Sequence, residues 1–225
     1  VHFINKCYKV YCMSYDYQSG KKRIEEILNS KTEIEYVSDI PKEDKEFTYD
    51  NGIKAWVGAL FIDIVDSSKL FKDYKEEIVA RIIRAFCSEI IEILRENDKY
   101  IQIGIRGDCV YAIYSAPNKD DLKSILDDSI MVNTFQEMFN QILLKHNFPT
   151  FQIGIGLGVN KDLVVKAGKK YTGINDYVWI GDAVVDASKA KVYIKNFGEF
   201  YLDQIEHASC IILSHVQMVD DEKLK

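Results

Sequence analysis

Two carboxylates stand where carboxylates are costly. Asp63 interrupts the apolar run from Val57 to Ile64, and Asp66 closes it, with Ser67 and Ser68 directly behind. A short apolar run bounded by turn-type residues reads as a buried strand. The two serines occupy the place of helix N-caps, ahead of a long amphipathic pattern. A strand that ends in acid and runs into a helix start offers two tools at one point. Its carboxylates can hold a divalent cation, and the open amides of the helix start can hold phosphate. Burying Asp63 unpaired would be expensive, so it calls for a cation or a cluster of donors. Taken alone, the same residues also fit a plainer account, with Asp63 in a salt bridge and Ser68 as a simple cap.

The elements that position these residues can be read in order. Lys21 to Leu28 is a short amphipathic helix, and Phe47 to Gly52 looks like a strand entering a turn. After the acid-bearing strand, apolar residues recur from Phe71 through Ile78, Ile82, Phe86 and Ile90 to Leu94, a helical stripe ending near Asn97. Residues 100–105 and 109–115 form two strands around Arg106, Gly107 and Asp108, a tight hairpin. Pro117 and Asn118 open a second helix. Phe151 to Val159 then reads as a strand, with residues 162–167 as its hairpin partner. Strand, helix, strand, strand, helix, strand is the split βαβ, or ferredoxin-like, order of an α+β fold. In that arrangement the end of the first strand lies beside the hairpin turn, which brings Asp63 next to Asp108. Two such acids suit a pair of Mg²⁺ or Mn²⁺ ions about 3.5–4 Å apart, able to clamp a triphosphate. The alternative is that Asp108 only fills a turn position.

Composition narrows the classes. With 225 residues, 47% of them hydrophobic and only 3 prolines, the chain reads as a single globular domain with a full core. A formal net charge of -6 argues against a nucleic-acid surface, which would carry a basic patch. No apolar run reaches membrane-span length, and the start carries no signal-peptide pattern. Met13 has the look of a natural start, which makes residues 1–12 an upstream extension without an assigned function. The 5 cysteines (Cys7, Cys12, Cys87, Cys109 and Cys210) form no CxxC pair, so zinc is not expected and a reduced, cytoplasmic setting is. His2, His146, His207 and His215 show no ligand spacing. Gly154, Gly156 and Gly158 imitate a nucleotide fingerprint but alternate along one strand face without a following helix, which points to close backbone packing.

Three ordered blocks, Phe61 to Ser68, Arg106 to Asp108 and Tyr177 to Lys189, together resemble a class III nucleotidyl cyclase domain over roughly residues 45–215. The resemblance implies the class III palm: a ferredoxin-like βαββαβ core with a C-terminal strand and helix extension. Residues 45–225 would be the catalytic domain and residues 1–44 an N-terminal extension with a short helix. It implies two Mn²⁺ or Mg²⁺ ions per site on Asp63, the carbonyl of Ile64 and Asp108, with Asp66, Ser67 and Ser68 wrapping the phosphates. It also implies a head-to-tail homodimer with active sites at the interface.

The departures from the family select the base. Adenylate cyclases read adenine with a Lys and an Asp that fall here at Gly104 and Val178. A site stripped of its base-reading groups loses discrimination sharply, so ATP does not fit. The ribose-orienting Asn falls at Val185. The transition-state Arg falls at Lys189, which keeps the charge without the bidentate fork. The stretch from Ile40 through Tyr49 to Gly52 resembles the pyrimidine cyclases of bacterial Pycsar anti-phage signalling. That implies cyclisation of UTP, or alternatively CTP, with Tyr49 reaching the base from the partner subunit. Arg106 is the candidate for a second base or phosphate contact, and Trp179 joins the substrate-binding set. Asp63, Asp108 and Lys189 are the catalytic set. A nucleotide sensor that has lost turnover is the competing reading.

Overall fold

A computed structural model describes residues 15–196. Residues 1–12, Cys7, Cys12, Cys210, His2, His207 and His215 lie outside the described residues. The chain divides into two compact units between Glu33 and Ile34. The first holds α1 (Tyr17–Asn29), whose N-cap Asp16 accepts the Gln18 N–H at 3.0 Å. The short helix expected at residues 21–28 is therefore present and longer.

The second unit follows the expected order. Its elements are β2 (Asn51–Ile64), α2 (Ser67–Asp73), α3 (Glu76–Arg95), β3 (Tyr100–Arg106), β4 (Cys109–Ser115), α4 (Lys119–Lys145), β5 (Ile153–Gly168), β6 (Asn175–Ile180) and α5 (Asp182–Asn196). The sheet runs β3-β4-β2-β5-β6 with every pair on this path antiparallel, the ferredoxin-like arrangement carrying an added strand and helix. A further strand, β1 (Glu33–Tyr36), pairs with β2 off this path.

Period-two alternation sorts the long strands. Leu60, Ile62 and Ile64 of β2 join Val110, Ala112 and Tyr114 of β4 beneath α3 and α4, where Ile82, Phe86, Ile90, Ile125 and Phe139 complete the main core. Val57, Ala59, Ile113 and Val164 face the other way, under Ala183 and Ala187 of α5. α4 starts where the sequence places it, since the Asn118 side chain accepts the N–H groups of Asp120 and Asp121 at 3.0 and 3.1 Å.

Three expectations are corrected. Residues 153–168 are one strand rather than a hairpin, because the whole length of β5 pairs with β2 and β6. The long helical stripe breaks at Tyr74 and Lys75, where α2 ends and Glu76 and Glu77 begin α3, acids suited to a helix N-terminus. The strand at Phe47 to Gly52 begins only at Asn51, since the Asn51 carboxamide oxygen accepts the N–H of Thr48 at 2.8 Å and closes a turn.

The glycine reading holds at Gly158. A Cβ there would fall 2.2 Å from the Ala183 carbonyl oxygen and 2.9 Å from the Ala187 nitrogen, both backbone of α5. At Gly58 the obstacle is the mobile end of Ile125 instead, 2.5 Å away. Gly158→Ala is therefore expected to lower unfolding free energy by about 1–3 kcal/mol, and Gly58→Ala by clearly less, in paired urea titrations. Equal losses would show that α5 is not seated on this glycine.

Candidate active site

Asp63 lies next to the last residue of β2, and the ladder decides what it faces. Ile62 pairs with Val110, so one step further Asp63 comes level with Cys109, the first residue after the hairpin turn. That turn is Gly107 and Asp108, closed by the Arg106–Cys109 pair, with Gly107 at φ 65. A two-residue loop with glycine first is the turn that matches the twist of its strands. Asp63 also faces Gly154 of β5, which adds no side chain. The carboxylate is half-buried, not enclosed: alternation turns Ile62 and Ile64 into the core and Asp63 onto the opposite face. The expected cost of deep burial is thus largely avoided. Asp108 is half-buried as well, and its charge, after burial, helps to push the Cys87 thiol up.

The loop behind β2 differs in detail from its reading as a serine-capped start. Asp66 is the N-cap, in the left-handed region at φ 55 and ψ 31, and Ser67 is already helical. A left-handed residue beside a right-handed one turns successive N–H groups toward one concavity, an anion-binding geometry. Two carboxylates and the carbonyl of Ile64 meet the demand of Mg²⁺ or Mn²⁺, which bind through one or two carboxylates plus substrate phosphates rather than through a protein cage. Among the described residues no group of three or more His, Cys, Asp or Glu forms such a cage. Arg106 ends β3 beside this corner and is exposed.

The other expected residues sit elsewhere. Tyr49 precedes β2 at its far end, and twelve residues of strand, roughly 40 Å, separate Asn51 from Asp63. There Tyr49, Lys166, Lys170, Tyr171 and Asn175 line a cavity of about 370 Å³, with the Lys170 ammonium 5.2 Å from the Tyr49 ring centroid. Asp44 fastens this end, taking the Lys166 ammonium on both oxygens at 2.7 Å and the Tyr177 hydroxyl at 2.7 Å. Those bonds hold the Asp44 carboxyl below its usual range, while burial and Asp44 push Tyr177 up to about 12. Lys189 and Val185 are exposed on α5.

Trp179 reveals residues that motif reading missed. Its indole N–H donates to the Gln102 carboxamide oxygen at 2.8 Å, although β6 and β3 are opposite ends of the sheet path. Four strand spacings would set them about 19 Å apart in a flat sheet, so the sheet curls until its edges meet. Tyr111 of β4 lies directly beside Phe61 of the neighbouring β2, stacked on it with centroids 5.5 Å apart. A Cβ at Gly104 would strike the Tyr111 ring, its hydroxyl 2.4 Å away. Gly104 therefore has a packing reason. Its cross-strand chain through Tyr111 to Phe61, against that of Val178 through Val165 to Gly52, puts the two positions on opposite faces.

Asp162 was also missed, because behind Asn160 and Lys161 it reads as part of a turn, not as an acid inside an apolar run like Asp63. It is fully buried, and its Oδ2 accepts the Ala183 N–H at 3.1 Å near the start of α5. Any side chain at Gly181 would strike its Oδ1. Burial raises the Asp162 carboxyl above the usual range, against the backbone bond and Lys54, with Asp182 adding repulsion.

No family model matches the chain. A uridylate cyclase of Treponema porcinum is 46% identical over 176 residues, 78% of this chain and 61% of that protein. A uridylate cyclase of Gulbenkiania mobilis is 33% identical over 205 residues, covering 88% and 77%. The chain thus spans about three fifths of the first curated relative and three quarters of the second. Among solved structures, a class III adenylyl cyclase-like ATP-binding protein from Pseudomonas aeruginosa superposes with a TM-score of 0.61 at 16% identity, over 78% of this chain and 39% of that one.

A carboxyl raised by burial binds its proton more tightly folded than unfolded, so stability falls as pH rises from the ordinary carboxylate range through the raised value. Urea midpoints measured from pH 4 to pH 7 should show this fall in the wild type and a smaller one in Asp162→Asn. Asp128, raised by burial too, is common to both proteins and cancels in the difference. Parallel profiles would mean that Asp162 is buried without strain on its charge.

Proposed function

Because the chain belongs to the class III nucleotidyl cyclase family, alongside the two uridylate cyclases, we propose that it is the catalytic part of a uridylate cyclase, turning UTP into 3′,5′-cyclic UMP and pyrophosphate. In this reading residues 45–225 form the catalytic domain and residues 1–44 an extension. The product serves as a second messenger of anti-phage defence in the cytoplasm. Among the described residues no helix is long and apolar enough to cross a membrane. The observation that carries the reading is the register that levels Asp63 with the hairpin turn holding Asp108.

The reaction forms one bond from the ribose 3′ oxygen to the α-phosphorus and breaks the bond to the β-phosphate oxygen, releasing pyrophosphate; the 3′ proton passes to solvent. Asp63, the carbonyl of Ile64 and Asp108 would hold two Mn²⁺ or Mg²⁺ ions, which would supply Lewis acidity at the hydroxyl and offset phosphate charge. Asp66, Ser67 and Ser68 present backbone amides to the phosphates. Arg106 offers a fork to a phosphate or base oxygen. Lys189 places a single positive charge for the α-phosphoryl group. Tyr49 and Trp179 serve the base. Since Tyr49 is about 40 Å from Asp63 along its own strand, it can meet a nucleotide there only from a second copy. That supports a head-to-tail homodimer with sites at the interface.

Exposed Val185 and Lys189, where the family carries Asn and Arg, favour a second reading: a sensor that binds nucleotide without turnover. One experiment separates the two. Each of the four ribonucleoside triphosphates is incubated with protein and Mn²⁺, and products are identified by mass. Cyclic UMP and pyrophosphate are expected, and Asp63→Asn or Asp108→Asn should cut turnover by about 10²-fold or more while leaving the circular dichroism unchanged. Full activity in either variant would remove the two-ion account. Tight triphosphate binding without pyrophosphate would favour the sensor.

A further inference from the structure

The Gln102 carboxamide has its two ends distinguished by neighbours that leave it no choice. Indole N–H is a donor only, so Trp179 must face the amide oxygen, and the 2.8 Å bond does so. A carboxylate is an acceptor, so Asp176 must face the amide nitrogen, and its Oδ1 accepts from Nε2 at 3.1 Å. Turning the amide over would set donor against donor at Trp179 and acceptor against acceptor at Asp176. Both mismatches oppose the flip. The second Nε2 hydrogen has only a long contact, 3.4 Å to the Tyr111 hydroxyl. An incoming carbonyl oxygen at normal hydrogen-bond length can take it.

The amide also faces the right way. Gln102 pairs with Ile113, which pairs with Ala59, and Ala59 shares its strand face with Asp63 four residues on. Gln102, Tyr111, Phe61 and Trp179 form one wall of the curled sheet on the face that carries the acid. A homodimer that closes this face on its own copy brings nucleotide bases against that wall.

Resting on the uridylate cyclase reading, we propose that Gln102 is a specificity-determining residue, its carboxamide locked by Trp179 and Asp176 to donate a hydrogen bond to the base. Uracil presents a carbonyl acceptor at its 4 position, whereas cytosine presents an amino donor there. A fixed donor accepts the first and repels the second, so it selects UTP over CTP. A site built around one such hydrogen bond discriminates far more strongly than a pocket of matching size. Tyr111, laid over Gly104, closes the wall behind the amide.

The lock can be inverted without changing its charge. In the double variant Gln102→Glu with Asp176→Asn the carboxylate still accepts from Trp179 and from the new amide, but it offers the base an acceptor. Trp179→Phe keeps an aromatic ring, though a smaller one, and removes the N–H, freeing the amide to turn. Binding of UTP and CTP is measured with Mn²⁺ and non-cyclisable α,β-methylene analogues, and turnover is measured separately with the natural triphosphates. The expected result is a UTP preference in the wild type, a shift toward CTP of about tenfold or more in the double variant, and a ratio near one in Trp179→Phe. A folded double variant, or a folded Trp179→Phe, that keeps the wild-type binding ratio overturns the assignment of Gln102. A wild type that binds UTP selectively yet yields no cyclic product overturns the cyclase reading and leaves the amide standing. A wild type that binds neither nucleotide overturns both.

Discussion

The register of β2 against its two neighbours is the constraint on which the site depends. Side chains alternate along a strand, so a slip of one residue exchanges its faces. In the observed register Leu60, Ile62 and Ile64 enter the core under α3 and α4, and that burial holds Asp63 on the opposite face. The same ladder sets how far β4 runs before its hairpin, and hence where Asp108 stands. Apolar packing on one side therefore fixes the placement of charge on the other.

A second consequence of the long strands is separation. β2 and β5 extend well past the helical core, so the acids and the cavity around Tyr49 occupy opposite ends of one sheet. Curling brings the edge strands together through Gln102 and Trp179, and α5 seats on the same concave face through the bare backbone at Gly158. In the proposed reading, a nucleotide that touches both ends would therefore span two copies. The buried Asp162 carboxylate ties the start of α5 to β5, which steadies the helix that presents Lys189.

Much of this was legible in residues. The apolar spacing of α3 and α4, the cap at Asn118 and the Gly107 turn each announce themselves locally, and their order implies the topology. The common corner of the end of β2, with Asp63, and the β3–β4 hairpin, with Asp108, was legible because that topology allows one place for a first strand to end. Two features of the same sequence were not. The unbroken length of β5 hid behind Asn160, Lys161 and Asp162, polar residues that mimic a turn but are held in line by β2 on one side. Gln102, Tyr111 and Asp176 carry no motif, since their meeting with Trp179 depends on sheet curl, a property of the whole sheet. Asp66 shows a third limit: its left-handed backbone cannot be foreseen from an Asp-Ser-Ser string that equally suits an ordinary cap.

The central claim is that two acids from separate segments share divalent ions over a nucleotide's phosphates. The most direct measurement is a crystal structure of the protein with Mn²⁺ and a non-cyclisable UTP analogue, with data collected at the manganese absorption edge. The account predicts two anomalous peaks per site, each within bonding distance of Asp63 and Asp108 and of the triphosphate oxygens. Peaks bound to the nucleotide alone, or lying away from either carboxylate, would contradict it.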